Sequence, residues 1–307
     1  MAFEDPPALP DFIGRMFPQA RRAYRLQRGA DAGRRIHLVD DGPADGTAVV
    51  MVHGNPTWSF LWRKVIAALP EGRYRCIAPD LLGLGMSDRL PELTDHTLER
   101  HADAVAEVVE ACDVDRIIVV GQDWGGPIAA SVGARMADRV AGIVFGNTSV
   151  IAPTRPRGTA FHRFAQLPIL SDLAFRGLSL PVRVMSRVQG DRKSISGDVA
   201  KAYRFPMRTS ADRTAPLALA RMVPNAVSHP SMPELARGQA FVEAFAGPAA
   251  LVWGTRDPIL GRALRRHERL LPDAPVTVTS AGHFLQEEVP DALAAAIDDV
   301  AGRAASA

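Results

Sequence analysis

At 307 residues, 47% hydrophobic and 23% charged, the chain has an ordinary globular composition and the length for one large α/β domain or a core with an inserted subdomain. A formal net charge of +2 gives no reason to expect nucleic acid as a partner, and no apolar stretch reaches the ~20 residues of a membrane-spanning helix. Two cysteines, Cys76 and Cys112, make no disulfide framework and read as buried thiols. The acidic, proline-bearing N-terminus lacks an apolar signal-peptide core, so a cytoplasmic protein is expected.

Arg35 to Val39 reads as an early strand closed by the turn Asp40-Asp41-Gly42-Pro43. Thr47 to Val52 is a near-continuous apolar run, the pattern of a buried central strand, and ends in His53-Gly54-Asn55-Pro56. Trp58 to Leu69 has helical periodicity, Tyr74 to Ala78 is the next strand, and His96 to Ala111 is a long amphipathic helix for which Thr94 or Asp95 is the expected cap. Strands follow at Arg116 to Val120 and Val140 to Phe145, with a small-residue helix, Pro127 to Met136, between them. From about 150 to 225 strand signals vanish, and short helical patterns with Pro and Arg take over. The alternation returns with the strand Ala249 to Trp253, the helix Gly261 to Leu271, the strand Val276 to Thr279 and a final helix from Asp291. This pattern predicts an α/β fold with a mostly parallel sheet covered on both faces. Residues 1–149 and 226–307 form its discontinuous core, and 150–225 a helical insertion.

The insertion holds 13 Lys+Arg and 4 Asp, a balance of +9, which leaves −7 on the remaining residues. The plain reading is a solvated, Arg-rich helical surface. The sharper one is that insertion and core of different molecules attract each other and promote self-association.

Gly121-Gln122-Asp123-Trp124-Gly125 sits between an apolar strand and a helix, the context of a nucleophile elbow, but with Asp where G-x-S-x-G has serine. A carboxylate suits attack on saturated carbon bearing a leaving group, and leaves an ester that water must open. Opening it needs a base. His283, just past the last strand, fits, and Asp257, after the Trp253 strand, is placed to orient it and balance the imidazolium. The order nucleophile, acid, histidine matches that of elbow enzymes. The backbone N–H groups of Asn55 and Trp124 are candidates for the oxyanion hole. The Asn55 amide and Trp124 indole are neutral donors for a departing anion. The histidines lack metal-ligand spacing, so neither a metal nor a cofactor is expected.

Val120 to Pro127, V-G-Q-D-W-G-G-P, together with His53 to Arg63, H-G-N-P-T-W-S-F-L-W-R, closely resembles the haloalkane dehalogenases, members of the α/β-hydrolase fold, over nearly the whole chain. The resemblance implies that Asp123 displaces halide from an alkyl carbon, that Trp124 and Asn55 bind the halide, and that His283, supported by Asp257, activates water to open the alkyl-enzyme ester. It also names the segment 150–225 as the family's cap. One subfamily carries its acid as Glu after the sixth strand; here that stretch reads Gly146-Asn147-Thr148, which leaves Asp257. Another uses a cap Trp for halide, but the Trp residues here are 58, 62, 124 and 253, so Asn55 is left for that role. The chain therefore resembles the group with an Asp-His-Asp triad and an Asn–Trp halide pair.

The main rival is an epoxide hydrolase, which shares the triad but needs acidic phenols from the cap; only Tyr203 is available there. Fluoroacetate-type dehalogenases prefer Arg after the nucleophile, where this chain has Trp124. A receptor that kept the pocket and lost turnover is the non-enzymatic alternative. Phe161, Phe164, Phe175, Leu178 and Phe205 are expected in the core of the insertion rather than along the pocket.

Overall fold

The computed structural model describes residues 2–156 and 158–306. One nine-stranded sheet organises them. In chain order its strands are β1 (Phe3–Glu4), β2 (Arg21–Arg25), β3 (Arg35–Asp41), β4 (Thr47–Val52), β5 (Tyr74–Pro79), β6 (Ile117–Asp123), β7 (Val140–Thr148), β8 (Ala249–Gly254) and β9 (Val276–Thr279). Their spatial order is β1-β2-β3-β5-β4-β6-β7-β8-β9. The first three strands pair antiparallel, with β3 antiparallel to β5, and every later pairing is parallel.

The apolar runs explain the centre. β4 and β6 are buried almost end to end, and β7 and β8 likewise, as strands covered on both faces must be. Two helical layers cover them. Gly125–Arg135 packs against Leu98–Ala111 and Met232–Ala244, while Pro290–Ala305 packs against Arg63–Ala68, β7 and β8. Cys76 and Cys112 are buried free thiols. No helix among the described residues is long and apolar enough to cross a membrane.

Between β7 and β8 the described chain forms no strand. It runs through the helices Ala160–Ala165, Leu170–Asp172, Leu180–Arg183, Gly197–Arg204 and Thr214–Arg221, with a π-helical turn at Leu173–Gly177. Their own buried centre is small: Ala165, Ala174, Phe175, Leu217 and Ala220.

Two sequence expectations change. The helix Leu98–Ala111 is capped by Thr97, whose hydroxyl accepts the Arg100 N–H at 3.1 Å. Thr94 and Asp95 belong instead to a separate 3-10 turn, Leu93–Asp95. Among the aromatic positions, Phe175 is buried in the insertion's core, with Phe164 packed against it. Phe205 packs on the main core, Leu178 is largely exposed, and Phe161 lines a cavity.

Candidate active site

The C-terminal ends of the parallel strands carry the site. β6 runs to Asp123, which adopts φ +52°, and the helix Gly125–Arg135 begins two residues on. A left-handed non-glycine residue costs about 1–2 kcal/mol, and here close packing imposes it. A Cβ on Gly125 would lie 1.9 Å from the Val52 carbonyl oxygen, and one on Gly54 would lie 2.4 Å from the Asp123 Cβ. Glycine at both positions lets the loop after β4 press on the elbow.

That approach sets the carboxylate's partners. The Asn55 backbone N–H donates to Asp123 Oδ1 at 2.8 Å, and the Trp124 backbone N–H also bonds the carboxylate. Asp123 Oδ2 faces His283 Nε2 at 3.6 Å, an ion-pair distance longer than a hydrogen bond. Burial would raise the Asp123 pKa, but His283 and the two N–H donors outweigh it and hold it below the usual carboxylate range.

His283 follows β9 and Asp257 follows β8; His283 Nδ1 meets Asp257 Oδ2 at 2.8 Å. The other Asp257 oxygen accepts the Ile259 N–H at 2.7 Å, which fixes the carboxylate's rotation. Burial pushes the imidazole down, and the carboxylates of Asp257 and Asp123 more than reverse it, raising the pKa to about 10.

The Asn55 amide donates one N–H to the Pro216 carbonyl at 2.9 Å, leaving its second N–H available at the cavity it lines. The Trp124 indole lines the same cavity. His53 is no base. It donates Nδ1–H to its neighbour's Gly54 carbonyl at 2.9 Å and accepts the Leu81 N–H at Nε2 at 2.9 Å, so both nitrogens are engaged in pinning the loop.

The cavity above Asp123 is about 220 Å3. Phe161, Pro181, Val184, Met185, Val188 and Ala220 give it an apolar roof, and His162 is the roof's polar member. Tyr203 is fully buried elsewhere and donates to Glu287 at 2.5 Å, beside Arg63. No phenol lines this cavity among the described residues. No group of three or more His, Cys, Asp or Glu among them is arranged to hold a metal.

Sequence reading missed the braces. Asn147, at the end of β7, accepts the Gly254 N–H at 2.8 Å and donates to the Gly282 carbonyl at 2.8 Å, tying the acid turn to the histidine turn. Gln122 donates to the His283 carbonyl at 3.0 Å. Residues 188–191 lie along the histidine loop. His283 N–H bonds the Val188 carbonyl at 2.9 Å, and Gln189 exchanges bonds with Phe284 N–H at 2.9 Å and its carbonyl at 3.2 Å. Glu288 accepts the N–H groups of Gly190, Asp191 and Gly282 at 2.9, 2.8 and 3.0 Å. Most of these bonds have a backbone partner, which residue types do not reveal.

A strand-turn-helix Asp, a histidine after the last strand and a nine-stranded, mostly parallel sheet define an α/β-hydrolase-type protein. The family model described as alpha/beta hydrolase fold matches residues 47–290. Haloalkane dehalogenase 2 of Mycobacterium tuberculosis is 35% identical over 287 residues, covering 92% of this chain and 95% of that protein. The crystal structure of a haloalkane dehalogenase from Bradyrhizobium elkani superposes with a TM-score of 0.80 at 25% identity, covering 94% of this chain and 100% of that one. A cis-3-alkyl-4-alkyloxetan-2-one decarboxylase of Shewanella oneidensis is 29% identical, covering 84% of this chain and 82% of its own. The chain belongs to the haloalkane dehalogenase family within the α/β hydrolases.

Proposed function

We propose that the protein hydrolyses haloalkanes to alcohol, halide and a proton through an alkyl ester on Asp123. The observation that carries this reading is the Asp123 carboxylate itself, with Oδ1 on the Asn55 N–H and Oδ2 towards His283, beneath an apolar cavity. Oδ2 attacks the carbon in line, and the C–halogen bond breaks as the C–O bond forms. The halide leaves towards the Trp124 indole and the free Asn55 N–H, neutral donors that match an anion without holding a permanent charge against it.

Ester formation removes the Asp123 charge. His283 loses one of the two carboxylates that raise its pKa, so the imidazole becomes able to take a proton from water just when water is needed. Hydroxide adds to Asp123 Cγ, and charge develops on Oδ1, which already accepts the Asn55 N–H, with the Trp124 N–H a second donor to the carboxylate, each such donor being worth about 3–4 kcal/mol. Collapse of the adduct breaks the Cγ–Oδ2 alkyl ester bond, and the imidazolium proton goes to the departing alcohol oxygen. Asp257 balances the imidazolium.

Residues 150–225 act as the cap over a core formed by 1–149 and 226–307. The triad is Asp123-Asp257-His283 with the Asn55–Trp124 halide pair, without metal or cofactor, in a cytoplasmic enzyme. The +9 of the cap against −7 elsewhere supports self-association, which sedimentation at low and high salt checks. The epoxide hydrolase reading lacks its acid, since Tyr203 is committed to Glu287 and held well above the ordinary phenol pKa by burial and that carboxylate.

The test is incubation with bromobutane or dibromoethane, reading bromide and acid release. Release of both is expected. No release from any brominated or iodinated alkane, with turnover of styrene oxide or an alkyl oxetan-2-one instead, overturns the reading.

A further inference from the structure

Beside this cavity lies a second one of about 360 Å3 that shares Asp123, Trp124, His162 and Ile259 with the first. Its chemistry differs. Arg155, Arg262 and Arg266 line it, and Asp123 is the only carboxylate among its described lining residues. The three arginines come from separate places. Arg155 lies on the loop after β7, Arg262 on the turn after Asp257, and Arg266 on the helix Leu264–Leu270. All three are exposed, and none makes a hydrogen bond or ion pair among the described residues. Elsewhere Arg63 pairs with Glu287, Arg89 with Asp212 and Arg221 with Asp172, and none of those three lines either cavity. Three arginines with no partner among the described residues thus line one hollow from loop, turn and helix, and planar guanidinium forks suit carboxylates.

His162 marks the boundary. Its Nδ1 accepts the Thr159 N–H at 3.2 Å, so the neutral ring carries its proton on Nε2 and presents a donor rather than a charge. Asp123 thus borders two linings, one mostly apolar and one carrying three cations.

We propose that this arginine-lined cavity binds an anion, and that the anion is the carboxylate of a haloalkanoic acid whose halogen-bearing carbon reaches Asp123. This deepens the proposed function and rests on it for the chemistry, though not for the binding. The product halide is the other source of the same anion chemistry.

Two measurements on the full chain separate these outcomes. One is calorimetric binding of ω-hydroxyhexanoate and of hexanol. The other is bromide release from ω-bromohexanoate and from bromohexane. Each uses the wild type and R155Q/R262Q/R266Q, at low and high salt. The hydroxy acid should bind the wild type about tenfold tighter than hexanol at low salt, and kcat/KM should favour the bromo acid similarly, both advantages shrinking with salt. The triple variant should lose this advantage while keeping its rate on bromohexane. If the variant instead leaves acid and alcohol alike but weakens inhibition by added bromide, the site stands and its anion is the halide. If neither acid binding nor bromide inhibition responds to the substitutions, the proposal is overturned. If the acid advantage responds but no bromoalkane or bromo acid is turned over, the anion site stands and the dehalogenase reading falls.

Discussion

The floor and the roof of the site are built differently. The floor is chemistry on a rigid frame. Asp123 ends β6, Asp257 and His283 lie on the loops after β8 and β9, and backbone bonds to Asn55, Ile259 and Val188 fix their orientation. The roof is mostly apolar, made of short helices around a centre of five buried residues, with Ile169 80% exposed and Leu170 and Leu173 each 57% exposed. Reacting groups must be held to fractions of an ångström, which a sheet provides, whereas substrate shape can vary with a roof that has little core of its own. The floor should therefore govern whether turnover occurs, and the roof which substrate is taken.

The largest expected effect is on the floor. Asp123→Ala removes the proposed nucleophile and should reduce bromide release by roughly four orders of magnitude or more in steady-state assays. Residual turnover near wild type would contradict the whole division. Trp124→Phe keeps an aromatic side chain but removes the indole N–H together with the pyrrole ring that carries it. Loss of a developing-charge donor at about 3 kcal/mol predicts a roughly hundredfold slower alkylation, read as the single-turnover burst with bromobutane. An unchanged burst would remove Trp124 from halide departure.

One stretch blurs the division and sharpens it. Residues 188–191 belong to the roof yet grip the histidine loop, with Glu288 taking three backbone N–H groups. Glycine is needed for this contact: a Cβ on Gly282 would lie 2.4 Å from the Val188 carbonyl oxygen. Glu288→Gln weakens charge-assisted bonds worth about 1–3 kcal/mol and should lower the thermal midpoint and slow ester hydrolysis more than alkylation. Equal slowing of both steps would mean the clasp does not act through His283.

The pH profile is a smaller effect with a definite sign. Two carboxylates hold His283 at about 10 in the free enzyme. The ester leaves only one, and losing an anionic neighbour lowers a histidine pKa. Ester hydrolysis should therefore rise with pH through a midpoint below that value, and Asp257→Asn should move the midpoint lower still. A midpoint at or above 10 would contradict the charge-loss argument. Smallest is Phe161→Ala, which enlarges the cavity and should change relative rates on short and long bromoalkanes by a few-fold, about 1 kcal/mol or less, with the burst preserved on the better substrate.

This contrast also marks what could be read from residues. β4 and β9 coincide with the predicted Thr47–Val52 and Val276–Thr279, because apolar runs and turn residues bound them sharply. The geometry brings the sequence-predicted Asp123, Asp257, His283, Asn55 and Trp124 into contact around one carboxylate or its cavity, since each lies on a turn with a distinctive neighbour pattern. β2 was not legible: Arg21–Arg25 has three arginines in five residues and buries only Ala23 and Tyr24, so no apolar run announces it. The roof's details were hidden for another reason. Whether Phe161 fills a core or faces a cavity depends on how short helices pack, and the Glu288 clasp uses backbone donors that have no residue identity.

The alkyl ester on Asp123 is the intermediate from which the proposed turnover follows. His283→Ala incubated with bromobutane and examined by intact-protein and peptide mass spectrometry should release one equivalent of bromide and retain a butyl group on the peptide containing Asp123. Protein that stays unmodified while bromide is released, or a butyl group found on any other residue, would contradict it.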